Sequence, residues 1–263
     1  MDHSVVRKVK SKLRKVLEKG PLGYRLVLVR DGAAWRPNRV PSAWMNTTLK
    51  SKQQWEEAAA TVAHAGLLPH RDTQKNWDHL AALSFILQNT DTNAKILDAG
   101  GEFYSPLVQW LFLYGYSNLH VINLAFEKNF VLGPIRYEQG DCTKTPYPSA
   151  HFDIITCLSV IEHGVPSDRF LGECKRLLRP GGYLIVSTDY WSSPIDTSNQ
   201  RAFGEQVKVF TPAEVESFIG LARKNGFVPT GEVDYMTGEK AVRWRAVELD
   251  FTFIVFALRK GPE

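Results

Sequence analysis

Cysteine is scarce. The 263 residues hold three, Cys142, Cys157 and Cys174, an odd number with no CxxC spacing. They can build neither a disulfide framework nor a cysteine zinc knuckle, and a reducing cytosol is the expected setting. Long apolar runs are missing too. A membrane helix needs about 20 consecutive apolar residues, whereas the best stretches, 107–114 and 251–258, are eight residues each. No span is expected, and no secretory signal is visible. The body of the chain also lacks a surplus of positive charge. Lys and Arg number 32 against 28 Asp and Glu, but residues 1–20 contain seven of the bases and two acids. That segment carries +5 of the net +4 and leaves −1 for the remainder. A nucleic-acid groove requires a clustered basic face, so nucleic acid is not an expected partner. What remains is ordinary globular material, 44% hydrophobic and 23% charged, without internal repeats.

Within residues 1–20, Val5, Val6, Val9, Leu13, Val16 and Leu17 recur at helical spacing between the bases. The pattern predicts an amphipathic helix with an aliphatic stripe and a cationic face, suited to peripheral contact with the anionic inner face of a membrane or to packing on its own domain. Residues 21–75 are irregular, punctuated by Pro21, Pro37, Pro41 and Pro69, with one helical stretch near 51–66. They read as an N-terminal cap. Residues 76–263 form the main domain.

There the pattern becomes regular. Helical periodicity over 77–87, 104–114, 167–178 and 212–225 alternates with short apolar runs at 95–99 (KILDA), 120–124, 135–139, 153–158, 183–188, 231–235 and 251–258. Pro180-Gly181-Gly182 is expected to stop the third of these helices and turn the chain. This alternation predicts an α/β fold, a Rossmann-like, doubly wound and mostly parallel seven-stranded sheet with helices on both faces.

In such a sheet the ligand sits beyond the carboxyl ends of the strands, so the turn after the first strand matters most. It reads Asp98-Ala99-Gly100-Gly101-Glu102-Phe103. Two glycines let a ligand approach the backbone, but a dinucleotide fingerprint wants a third, and Glu102 would repel a pyrophosphate. A ligand bearing an ammonium group would instead be attracted. Four segments in order, ILDAGG (96–101), YEQGDCTKTPYPSAHFDIITCLSVIEH (137–163), LLRPGGYLIVST (177–188) and FTPAEVESFIGLARKNGF (210–227), resemble the class I S-adenosylmethionine-dependent methyltransferases.

That resemblance implies S-adenosyl-L-methionine as cofactor. Asp98 and the backbone of Ala99, Gly100, Gly101 and Glu102 would hold the methionine moiety, Asp141 and Cys142 the adenine, and Ser159 the pocket near the sulfonium. The family usually ends its second strand with an acid that accepts both ribose hydroxyls. Here Asn123 stands in that place, followed by Leu124, and an amide offers one acceptor and a donor pair instead. The glycine loop is also short, with Tyr104 and Ser105 where more glycine is usual.

Methyl transfer is an in-line displacement in which the protein aligns the nucleophile and excludes water. A hydroxyl acceptor must lose its proton, and His163 after the fourth strand and Asp189 after the fifth are the candidate bases. Glu162-His163 is similar to a metal-binding run of part of the family, but Ser159 replaces its first glutamate, so no metal is expected. Lys75, Trp77, Tyr190 and Trp191 flank the crevice as candidate substrate contacts, with the polar segment 192–206 as a lid. The expected activity is methylation of an acceptor hydroxyl, preferably of a sugar or glycan precursor in polysaccharide biosynthesis. The alternatives are a small aromatic or lipid-like acceptor, and a degenerate fold that binds without turnover. The expected location is cytoplasmic, with possible peripheral membrane contact, and the oligomeric state is open.

Overall fold

The computed structural model describes residues 18–202 and 204–262. The helix expected over 1–20 therefore lies, but for its last three residues, outside the described residues. The helices are α1 (Pro21–Arg30), α2 (Lys52–His64), α3 (Asn76–Asn89), α4 (Leu107–Leu113), α5 (Ser167–Leu177) and α6 (Pro212–Lys224). Pro21 opens α1 at the position where a missing N–H is harmless. Thr211 and Glu214 close a reciprocal capping box at the start of α6.

Ten strands form the main sheet. Its path runs β1 (Thr47–Thr48), β12 (Leu249–Lys260), β7 (Leu178–Tyr190), β6 (Phe152–Leu158), β2 (Lys95–Ala99), β3 (Asn118–Asn123), β5 (Ile135–Gln139) and β4 (Phe130–Leu132). Two further strands, β10 (Phe227–Pro229) and β11 (Val242–Trp244), also pair with β12. The centre, β7-β6-β2-β3-β5, is parallel, and both rims are antiparallel. A separate hairpin joins β8 (Arg201–Ala202) to β9 (Glu205–Gln206).

Seven strands were expected; β4 adds an antiparallel rim beside β5, and the other additional strands, β1, β10 and β11, have a common cause. One edge of the long β12 is paired with β7, and the other would be left bare. β1, β10 and β11 share out that second edge, at 254–255, 258–260 and 249–251 respectively. The expected strand at 231–235 is not formed; the pairing segment is Phe227–Pro229 instead. Val233 and Tyr235 keep their apolar contact with the core, while the backbone N–H of Asp234 donates to Asn46 O rather than to a strand. Nor does Pro180-Gly181-Gly182 stop the helix before it, which ends at Leu177; β7 begins at Leu178 and runs through the motif, absorbed by a register shift opposite Phe152 and Ile154. Gly182 is needed there because a Cβ would lie 2.9 Å from Asp153 O.

Strand residues alternate between two buried clusters, one on each face. Ile96, Val121, Ile154, Ile185 and Val255 pack with α1 to α4, whereas Leu97, Ile122, Ile155, Val186 and Ile254 pack with α5 and α6. The chain leaves β2 toward β3 and later returns to β2's other side through β6. That reversal opens a crevice at the carboxyl ends of β2, β6 and β7. Among the described residues no helix is long and apolar enough to cross a membrane.

Candidate active site

The crevice begins at the glycine loop. The last residue but one of β2 is Asp98, 2% exposed, whose Oδ1 accepts from Thr156 Oγ1 at 2.7 Å. Burial pushes this carboxyl above its usual range. Gly100 sits at φ +83° with Val160 directly against it, and a Cβ on Gly101 would lie 2.1 Å from Asp98 Oδ2. Glycine is thus required at both positions, at one for its backbone conformation and at the other for space. Asn123 closes the loop from β3. Its Nδ2 donates to Gly100 O at 2.8 Å and Gly101 O at 3.1 Å, while its Oδ1 accepts from Ala125 N at 2.8 Å. A carboxylate could not make the two loop contacts, because it has no hydrogen to donate. The half-buried carboxylate of Glu102 lies within hydrogen-bond reach of the same amide. An acid is therefore present beside the end of β3 after all, supplied by the loop.

The first turn of α3 supplies the floor. Asp78, fully buried, accepts from His79 Nδ1 on Oδ1 at 2.9 Å and from Ser187 Oγ on Oδ2 at 2.6 Å. His79 Nε2 lies 3.1 Å from Ser105 Oγ in the glycine loop. A continuous buried chain therefore links β7, α3 and the loop. These contacts to charged and imidazole partners hold the Asp78 carboxyl below its usual range, despite burial. Sequence reasoning missed Asp78 and His79 because neighbouring residues on a helix carry no motif spacing. Only tertiary packing brings them under the sheet's end.

On the acceptor side, Glu162 (1% exposed) stands beyond β6, while Asp189 (4% exposed), expected after the fifth strand, is the last residue but one of β7 and is paired with Phe253. Thr188 Oγ1 donates to Glu162 Oε2 at 3.0 Å. Burial raises the Glu162 carboxyl to about 7, and burial together with the Glu162 charge pushes Asp189 well up. Among the described residues Asp189 has no side-chain hydrogen-bond or ion-pair partner. The half-buried Lys75 faces Glu162, Asp189 and Asp78, and their charges hold its ammonium protonated against desolvation. Beside Glu162 a cleft of about 310 Å³ opens between 161–167 and 197–210, lined by Gly164, Thr197, Gln206 and Lys208 among others. The expected lid segment thus borders this cleft. A second cleft, about 460 Å³, lies away from this chemistry near Asn118 and Arg136.

The remaining candidates divide. Ser159, at φ +53° as β6 ends, bonds through its N–H to Ser187 and faces the Asp78 carboxylate. Leu124 (70% exposed) and Phe103 (53% exposed) leave apolar surface at the loop's rim, and the exposed Asp141 and half-buried Cys142 follow β5. Asp141 Oδ1 accepts from Thr143 N and Oγ1. His163, with its ring edge-on to Trp244, is lowered to about 4 by burial and Lys75, so it is neutral near pH 7. Two expected substrate contacts are corrected by packing. Trp77 is 1% exposed and stacked on Trp44, and Tyr190 is fully buried with its hydroxyl on Tyr235 O. Neither offers a free face. Trp191 is half-buried, with the Lys240 ammonium over its ring.

The donor set fits S-adenosylmethionine. Asp98 and Glu102 offer acceptors for an ammonium and a ribose diol, Gly100 and Gly101 bring backbone close, and Leu124 and Cys142 provide apolar surface beside Asp141 for a base.

Comparison with known proteins agrees with this chemistry. Residues 115–186 match the family model described as a methyltransferase domain. Phosphoethanolamine N-methyltransferase 3 of Arabidopsis thaliana is 28% identical over 140 residues, 51% of this chain and 28% of that protein. The ubiquinone biosynthesis O-methyltransferase of Rhodopseudomonas palustris is 28% identical over 122 residues, 42% of this chain and 47% of that protein. The chain thus spans less than half the length of these relatives. The crystal structure of the [4+2]-cyclase SpnF superposes with a TM-score of 0.51 at 15% identity, covering 84% of this chain and 100% of that one, a likeness of fold alone. The matched segment, 115–186, is thus similar to a methyltransferase domain, and it lies within the stretch whose sequence motifs resemble the class I S-adenosylmethionine-dependent methyltransferases.

Proposed function

We propose that this chain methylates a hydroxyl of a small polar acceptor, preferably a sugar or glycan precursor, bound in the cleft beside Glu162. The observation that carries the reading is the buried pair Glu162 and Asp189 facing Lys75 at the ends of β6 and β7. When bound, the cofactor supplies a methyl carbon made electrophilic by a positive sulfur. The chain's own task is to align the acceptor and remove its proton. Two neighbouring buried carboxyls resist double ionisation, and a base titrating near neutrality combines availability with driving force. Glu162, at about 7, meets that condition better than His163, at about 4. Asp189 then holds the acceptor's second polar group, and Lys75 keeps the site from accumulating negative charge.

A second reading rests on the acidic surplus, in which Glu162, Asp189 and Asp78 face one Lys75. That balance also suits an amine acceptor, the chemistry named for the Arabidopsis relative. Methyl transfer from radiolabelled S-adenosylmethionine to nucleotide sugars and to primary amines decides between them. For a hydroxyl acceptor, kcat/KM climbs as pH passes through about 7 and then levels. Glu162→Gln removes that limb and most of kcat. An unchanged profile in the variant, or turnover confined to amines, overturns the hydroxyl reading.

A further inference from the structure

Charge is divided along the chain at a boundary beyond the first helix. Residues 1–40 hold eleven Lys and Arg against three Asp and Glu, a net +8, whereas residues 41–263 hold 21 against 25, a net −4. The described part of the basic region also leaves large apolar side chains in water. Leu22 (65% exposed) and Leu26 (49% exposed) are one helical turn apart on the outer face of α1, whose inner face buries Tyr24, Val27 and Leu28. Trp35, 43% exposed, follows on the next loop. Arg25 ties that loop to the helix, since Nη1 donates to Trp35 O at 2.6 Å while Nη2 reaches Phe112 O at 3.0 Å. The guanidinium also lies 5.7 Å from the Trp35 ring centre. The Trp35 loop is therefore fixed to α1, the helix that carries the two leucines. Lys19, Arg36 and Arg39 are exposed around it.

We infer that the outer face of α1 with the Trp35 loop docks on an anionic lipid bilayer. A nucleic-acid backbone would satisfy the bases but give Leu22 and Leu26 no apolar partner. A neutral protein groove would take the leucines but leave the +8 unmatched. An anionic interface accommodates both at once, with the leucines among the acyl chains, the indole at headgroup depth and the bases against phosphates. The crevice is carried by the acidic remainder of the chain, so the proposal is independent of the methyl acceptor.

The test is sedimentation of the full chain with vesicles of phosphatidylglycerol and phosphatidylcholine, against vesicles of phosphatidylcholine alone. Binding is expected only to the anionic vesicles, and to vanish at about 1 M salt, where the screening length has fallen to about 3 Å. The double variant Leu22→Glu/Leu26→Glu removes only exposed side chains and is expected to bind at least tenfold more weakly, with the melting temperature kept. Trp35→Ala is expected to weaken binding by a smaller factor. Equal binding to neutral vesicles, or equal binding by the double variant, overturns the proposal. So does a dimer in velocity sedimentation that the double variant dissolves, which would assign the face to a second copy of the chain.

Discussion

Glu102 and Asn123 allow a charge-relocation test. In the structure the amide of Asn123 ties Gly100 O and Gly101 O, and the carboxylate that the end of β3 lacks is supplied by Glu102 next to it. If Glu102 accepts from the ribose diol, Glu102→Gln replaces a charged acceptor by a neutral one. A hydrogen bond to a charged group is worth about 1.5–3 kcal/mol, so cofactor affinity is expected to fall roughly 10- to 100-fold. Asn123→Asp alone is also unfavourable, because it removes both donors to the loop carbonyls and sets a second carboxylate beside Glu102. The double variant Glu102→Gln/Asn123→Asp returns one carboxylate to the strand end and lets the glutamine amide donate where Asn123 did. It should recover at least part of the loss. The assay is calorimetric titration with S-adenosylhomocysteine, with melting temperatures to confirm that each variant folds. Wild-type affinity in Glu102→Gln, or a double variant weaker than both singles, would refute the reasoning.

Other consequences follow from the same geometry. Gly101→Ala forces a Cβ to within 2.1 Å of Asp98 Oδ2, and should abolish cofactor binding and lower the melting temperature by several degrees. Ser105→Ala and His79→Phe each remove one end of the 3.1 Å contact between α3 and the loop. Each should weaken cofactor binding about fivefold, with a double-variant loss well below the product of the two, measured by the same titration. A pH-dependent stability effect is expected at Glu162. Its folded value of about 7 lies above the ordinary 4.5, so the stability it lends is complete below about 4.5 and is lost as pH rises through 7. Glu162→Gln should therefore raise the melting temperature relative to wild type more at pH 8 than at pH 5, and a difference independent of pH would contradict the burial argument.

The sheet's centre was legible in the sequence because its strands are short β-rich segments set between helical periodicities, DIITCL buried almost throughout and IRYEQ alternately buried and exposed. KILDA and IRYEQ occupy the residues predicted for them, and DIITCL is extended only by Phe152. The glycine loop was legible because Asp-Ala-Gly-Gly at a strand end has little packing purpose. Less visible were features fixed by distant partners. The short strands β1, β10 and β11 exist because β12 has an edge to cover, and nothing in their own two or three residues announces it. Glu162 was noticed beside His163 as half of a metal motif, but its depth and its proximity to Asp189 and Lys75 follow from how α3 enters beneath the sheet's end. Trp77 and Tyr190 show the converse. Aromatic residues near a crevice suggested sugar stacking, yet one pairs with Trp44 and the other with Tyr235.

The most direct measurement is the binding of S-adenosylhomocysteine to the wild-type chain and to Asp98→Asn, whose side chain is nearly isosteric and remains able to meet Thr156. One molecule per chain should bind the wild type, and the variant should bind at least tenfold more weakly while melting near the wild-type temperature. No heat at millimolar ligand, or equal affinity for both proteins, would contradict a cofactor seated at the end of β2.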